Sequence, residues 1–172
     1  GGDAVTAGRI AERVAAVSAY GAVVVRAAGE GREFAVGVDR VVVKGATPHD
    51  GGGFSVIEYE GAAGAPGPPL HVHRSFEECW YILEGEVDFS LGEEVRRMGP
   101  GGFVLVPRDA PHTFRVAGGE RARWIGIFSP ANGLGLIEEL GEILPADGPP
   151  DLDKVMALFA RYQTEVVGGP IV

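Results

Sequence analysis

The stretch "HVHRSFEECWYILEG", residues 71–85, sets two histidines one residue apart and follows them with adjacent glutamates, in a chain that has four histidines in all. Successive side chains of an extended strand point to opposite faces, so His71 and His73 project to the same side while Val72 points away. Two imidazoles so placed can hold one divalent ion, and a carboxylate from the following strand would add an oxygen ligand. Alternation lets only one of Glu77 and Glu78 reach that side. With Glu78 inward, Trp80 and Ile82 share its face; with Glu77 inward, Cys79, Tyr81 and Leu83 do, and periodicity leaves both registers open. A third nitrogen is at hand in His112, within "PGGFVLVPRDAPHTFRV", where an apolar strand runs into a turn and the histidine opens the next strand. The remaining histidine, His49, lies in the glycine-rich turn "KGATPHDGGG", away from this pattern. Cys79 has no histidine as an evident base and reads as a small apolar residue rather than a nucleophile.

Such side chains need rigid strands to carry them. From Ala22 to Ser129, β-rich runs alternate with glycine or acidic turns: "AVVVRA", "EFAVG", "DRVVVK", "FSVIEYE", "LHVH", "ECWYILEG", "EVDFSLG", "EVRRM", "GFVLVP", "HTFRV" and "RARWIGIFS". About ten short strands at this spacing leave no room for crossover helices and predict an all-β sandwich or closed jelly roll. The Pro/Gly-dense "GAAGAPGPPLH" reads as a loop at the barrel rim. Helical spacing is confined to the two ends. Residues 1–21 form an N-terminal extension in which Ile10, Val14 and Val17 make one amphipathic helix, residues 22–130 form the barrel, and residues 131–172 hold two helices packed on its outside. The first of these would be capped by Ser129 with Pro130 at its first position and would carry Ile137, Leu140 and Leu144. The second would be capped by Asp151 and carry Leu152, Val155, Met156, Phe159, Tyr162 and Val166.

Composition removes several function classes. A formal net charge of −9 argues against a nucleic-acid partner, and Arg96-Arg97 is too short a run to make a basic patch. No apolar run reaches the eighteen or so residues of a membrane span, and Arg9, Glu12 and Arg13 interrupt what a secretory signal would need to keep apolar. With Cys79 as the one cysteine, an internal disulfide and a thiolate-rich metal site are excluded within the chain, and a cytoplasmic setting is expected. At 172 residues one domain is the default.

The motifs themselves resemble those of the cupin family. "PPLHVHRSFEECWYILEG" is similar to the first cupin motif, and its spacing implies Glu78 rather than Glu77 as the ligand, with Gly85 as the motif glycine. "GGFVLVPRDAPHTFRV" is similar to the second, with Gly101, Pro107 and His112 in place. Asp109 stands where that motif usually has glycine and Val116 where it usually has asparagine; neither change removes a ligand. The resemblance runs over roughly residues 22–168, the C-terminal part being similar to the tail of quercetin 2,3-dioxygenase-like cupins. It implies a jelly-roll β-barrel with flanking N-terminal and C-terminal helices, and one divalent metal held by His71, His73, Glu78 and His112. Fe(II) or Mn is preferred by the resemblance, with Ni, Cu or Zn as alternatives for such a donor set. Alternation from Glu78 and from His112 then puts Trp80, Ile82, Phe114 and Val116 on the pocket wall. The activity implied is a metal-dependent oxygenase with O2 and a small aromatic or polyketide-like substrate, in which Glu78 also acts as a base. A metal-dependent isomerase, cyclase or lyase, or a non-catalytic binding barrel, would use the same site. A homodimer is expected, because the Ile10/Val14/Val17 stripe needs an apolar surface to cover it.

Overall fold

The computed structural model describes residues 23–47, 53–92 and 94–171. The expected N-terminal helix and His49 lie outside the described residues. The elements run β1 (Arg32–Val36), β2 (Asp39–Ala46), β3 (Ser55–Gly61), β4 (His71–His73), β5 (Glu77–Glu84), β6 (Val87–Leu91), β7 (Glu94–Met98), β8 (Phe103–Val106), β9 (Thr113–Val116), β10 (Ala122–Ser129), α1 (Gly133–Ile143), α2 (Leu152–Arg161) and β11 (Thr164–Val166).

Six strands form one antiparallel sheet in the order β1-β2-β3-β10-β5-β8, three form β7-β6-β9, and β11 pairs with β4. An isolated bridge between His71 and His112 ties β4 to the start of β9. This is a jelly-roll barrel, and its interior follows from period-2 alternation. In β3 and β10 every second residue is buried, and in β5 the buried set is Glu78, Trp80 and Ile82. The inward faces carry Val41, Ile57, Ile82 and Trp124, each fully enclosed, together with Phe76 and Phe89 from neighbouring segments. Tyr59, Trp124 and Trp80 stack in series, with centroids 4.6 and 4.7 Å apart and planes within 14° of parallel. Stacked rings of this size fill the barrel and fix its width.

Several expected elements differ. The run "AVVVRA" makes no strand: Val23, Val24 and Val25 are exposed, and both edges of β2 are already taken by β1 and β3, so β-propensity finds no partner there. Helix α1 begins at Gly133 with Asn132 at its N-cap, because Ser129 is still paired with Glu77 at the end of β10. Asp151 does cap α2, its side chain accepting from the Lys154 N–H at 3.3 Å, but the helix ends at Arg161. Gln163 then takes a left-handed φ of 52° and turns the chain, so Val166 belongs to strand β11 and not to the helical stripe. The helices also do more than cover the barrel's outside. Leu136, Ile137 and Leu140 of α1 and Val155, Met156 and Phe159 of α2 line the barrel's internal cavity, closing its open end.

Gly85, which joins β5 to β6, sits at φ +68°, and a Cβ there would run into the Arg121 carbonyl and the Ala122 Cα. Gly92 has a similar φ of +81° with open space around it. Gly92→Ala is therefore expected to lower stability by about 1 kcal/mol from the left-handed backbone alone, and Gly85→Ala by roughly 3 kcal/mol or more because it adds a backbone clash. Denaturant titration of the two variants checks this; equal losses would mean that the close approach at Gly85 is not real.

Candidate metal centre

Each of the three barrel histidines is oriented from behind by an oxygen. The His71 Nδ1 lies 2.8 Å from the Pro69 carbonyl, and the His112 Nδ1 lies 2.9 Å from the Ala110 carbonyl. A carbonyl can only accept, so both rings carry their proton on Nδ1 and turn the Nε2 lone pair inward. His73 Nδ1 is 2.8 Å from the Thr164 hydroxyl, which can accept in the same sense, and the ring stacks on Phe76 at 4.1 Å. Strand β4 supplies two of the rings from one face, and the bridge from His71 to His112 brings in the third.

The inward nitrogens converge. The three ligand atoms lie within 4.8 Å of one another, and the Nε2 atoms of His71 and His73 are 3.2 Å apart. Glu78 projects into the same space from β5, 5% exposed, with Oε1 3.0 Å from the His112 Nε2. That approach is not a directed hydrogen bond, and the His112 Nε2 has no hydrogen-bond partner although His112 is only 1% exposed. Buried, converging lone pairs beside a carboxylate repel one another unless a cation lies between them. Three imidazole nitrogens with one carboxylate oxygen are a donor set that suits a divalent first-row metal, so the residues present fit the group.

The local electrostatics suit His71 and His73 as neutral ligands and couple His112 to Glu78. Burial pushes His73 down to about 3 and His71 down to about 4, the latter with help from His112, so both are neutral ligands at ordinary pH. For Glu78 burial alone would raise the carboxyl, but His112 beside it, with His73 and His71 behind, holds it down to about 2. His112 is the reciprocal case: burial disfavours its cation, while the Glu78 carboxylate outweighs that and shifts it upward.

The structure thus brings His71, His73, Glu78 and His112 together and leaves Glu77 on the other face of β5, half-buried. Of the expected wall residues, Trp80 and Phe114 line a cavity of about 660 Å³ that reaches His71, His73 and Glu78. Ile82 and Val116 do not line it. Ile82 lies one row beyond, paired opposite Trp124 and wholly enclosed, and Val116 packs over Gly61. Facing inward on a strand is not the same as facing the cavity. Thr164 was not legible as a site residue, because it falls in a segment whose apolar spacing reads as helix. Asp109, in the place of the motif glycine, does adopt the left-handed φ of 63° and is held by Arg74 at 2.7 Å.

Residues 58–128, a span that includes all four of these side chains, match the family model described as a cupin domain. The jelly roll and both motifs agree with that match, and residues 58–128 form a cupin domain. It is 43% identical over 49 residues to dimethylsulfoniopropionate lyase DddQ of Ruegeria pomeroyi, a match that takes in 28% of this chain and 24% of the lyase. It is 27% identical over 88 residues to quercetin 2,3-dioxygenase of Bacillus subtilis, covering 51% of this chain and 26% of that enzyme. The matches thus span about a quarter of the length of either curated relative. Among solved structures, KdgF from Halomonas sp. superposes with a TM-score of 0.53 at 19% identity, over 65% of this chain and 97% of that one. That likeness concerns the fold alone.

The protein is expected to carry one divalent ion per chain when purified without chelator, and His112→Ala to lose most of it. Thr164→Val, which removes the oxygen behind His73, is expected to weaken metal binding by about tenfold or more without unfolding the barrel. Elemental analysis and competition with a chromogenic chelator measure both. Equal metal content in wild type and His112→Ala would remove the site, and unchanged affinity in Thr164→Val would remove the role of β11.

Proposed function

We propose that this protein is a divalent-metal-dependent cupin enzyme acting on a planar aromatic or polyketide-like small molecule, with oxygenase chemistry as its leading activity. The observation that supports it most is the cavity. Its described wall is built from Tyr59, Trp80, Phe114, Trp124, Phe128 and Phe159 together with aliphatic groups, and includes no lysine or arginine. Its volume of about 660 Å³ suits a ligand of two or three rings. Nothing in that wall could clamp a phosphate, so nucleotide sugars and sugar phosphates are poor candidates.

His71, His73 and His112 would hold the ion through Nε2, and Glu78 would complete the set through a carboxylate oxygen. Fe or Mn is preferred, with Ni, Cu or Zn as alternatives. A bound ion would supply Lewis acidity toward an enolic or phenolic oxygen and, where redox-active, a route for electrons to O2. Glu78, held ionised by its histidine neighbours, is placed to accept the proton of a substrate hydroxyl. Its low basicity means that this hydroxyl must already be acidified. The aromatic wall gives the substrate an apolar surface to lie against.

A lyase, isomerase or cyclase reading needs the same residues and no O2, and is favoured by the 43% identity of a short segment to the lyase relative. A non-catalytic barrel would bind the ligand without turnover. The oxygenase reading predicts that the metal-loaded protein consumes a flavonol with matching O2 uptake, and that Glu78→Gln lowers kcat by at least about a hundredfold. Product formation without O2 uptake would transfer the site to the second reading, and tight binding with no product to the third.

For assembly we infer a homodimer, in the reducing cytoplasm that a single cysteine suggests. Strand β8 is an edge of the six-stranded sheet, and its exposed Phe103 and Leu105 stand beside exposed Tyr81 of β5 on the outward face. An apolar edge strand paired with its own copy about a twofold axis is self-complementary. Light scattering at micromolar concentration should give twice the chain mass, and Leu105→Lys should give one chain mass. A monomeric wild type would overturn the inference.

A further inference from the structure

The cavity has a second polar end, remote from the imidazoles. On the inner surface of the large sheet, paired residues form three rows: Glu78–Phe128–Ser55, then Trp80–Gly126–Ile57, then Ile82–Trp124–Tyr59. Four residues along β10 separate the first row from the third, which is about 13 Å of strand. In the middle row Gly126 has no side chain, and the Ile57 side chain covers it, its Cγ1 3.1 Å from where a Cβ would sit. At the far row the Tyr59 hydroxyl donates to the Asp39 Oδ2 at 2.7 Å, and the Ala62 N–H donates to the Asp39 Oδ1 at 2.8 Å. Both Asp39 and Tyr59 line the cavity, and Asp39 and Glu78 are the two carboxylates among its described lining residues.

The hydrogen-bond inventory decides what this end can take. Each Asp39 oxygen has one donor and keeps one lone pair, while Tyr59 has committed its proton to Asp39 and keeps only lone pairs. Burial pushes the Tyr59 hydroxyl well above its ordinary range, with the Asp39 charge adding to the shift, so that proton stays in place. Asp39 and Tyr59 therefore offer acceptors alone. A ligand oxygen without a proton, such as an ether or a carbonyl, would set lone pair against lone pair there, whereas a hydroxyl would close the network.

We propose that Asp39, oriented by Tyr59 and the Ala62 N–H, is the specificity group for a hydrogen-bond donor at the end of the ligand opposite its metal-directed oxygen. The substrate class narrows accordingly: a flat, elongated phenol with one oxygen for the Glu78 row and a free hydroxyl for Asp39. This inference rests on the reading of the cavity as a site for planar phenols at a metal centre, and names which members of that class it accepts. The contact is recognition only; no bond is made or broken at Asp39.

Three flavonols test it: galangin, which lacks a hydroxyl at the tip of its distal ring; kaempferol, which has one; and kaempferide, in which the same oxygen is methylated. Their affinities for metal-loaded protein can be read from quenching of Trp80 and Trp124 fluorescence, with metal content measured in parallel. Wild type should bind kaempferol about tenfold more tightly than either of the others, the range for a hydrogen bond to a charged acceptor. Asp39→Asn, which exchanges one acceptor for a donor at constant shape, should erase that preference and improve kaempferide relative to kaempferol, an inversion that a merely structural role would not produce. Equal affinities across the series in wild type would overturn the inference by themselves, even if the variant did not fold. Discrimination together with undiminished affinity after metal removal would support Asp39 and contradict the metal-centred function, whereas failure of all three to bind the metal-loaded protein would contradict both.

Discussion

Three imidazole lone pairs aimed at one buried point are the constraint on which the rest of the structure depends. The Pro69 and Ala110 carbonyls fix two of the rings in the tautomer that turns Nε2 inward, and Thr164 stands behind the third. The Nε2 atoms of His71 and His73, 3.2 Å apart, repel when both rings carry their protons on Nδ1, and the His112 Nε2 stays unpaired in the interior. The barrel accepts that local cost because the surrounding strands leave these rings nowhere else to go. A cation at the point of convergence turns the cost into a binding energy.

The secondary structure around the site follows from holding these oxygens in place. The proline-rich segment before β4 presents the Pro69 carbonyl, the turn before β9 presents that of Ala110, and β11 returns from the C-terminal helices to pair with β4 and place Thr164. Helices α1 and α2 then close the cavity with aliphatic side chains, so that the ligand space is walled by apolar groups and tipped by polar ones at two ends. None of this selects a reaction, since a jelly roll with such a donor set supports redox and non-redox chemistry alike.

Much of this was legible in the sequence, for physical reasons that differ by element. Period-2 alternation located β3, β5 and β10 closely, because a strand with one wet and one buried face must alternate. The four convergent side chains were readable because two lie on one short strand and the motif spacing fixed the other two. Alternation could not separate Glu77 from Glu78, and it wrongly carried Ile82 and Val116 to the cavity wall, since a strand's inner face says nothing about which neighbours fill the space before it. Val166 and Thr164 were hidden within an amphipathic run that tertiary pairing with β4 converts to strand. Asp39 and Tyr59 were invisible as a pair, because β2 and β3 are brought together only by the sheet and no local pattern marks a carboxylate that meets a tyrosine across it.

The most direct measurement of the central claim is anomalous diffraction at the absorption edge of the ion in crystals of metal-loaded protein. The account predicts one strong peak inside the barrel, at about 2.0–2.2 Å from the Nε2 atoms of His71, His73 and His112, with a Glu78 oxygen turned toward it. A peak bound through Nδ1, a peak that leaves one of these histidines out, or a barrel interior without a peak would contradict it.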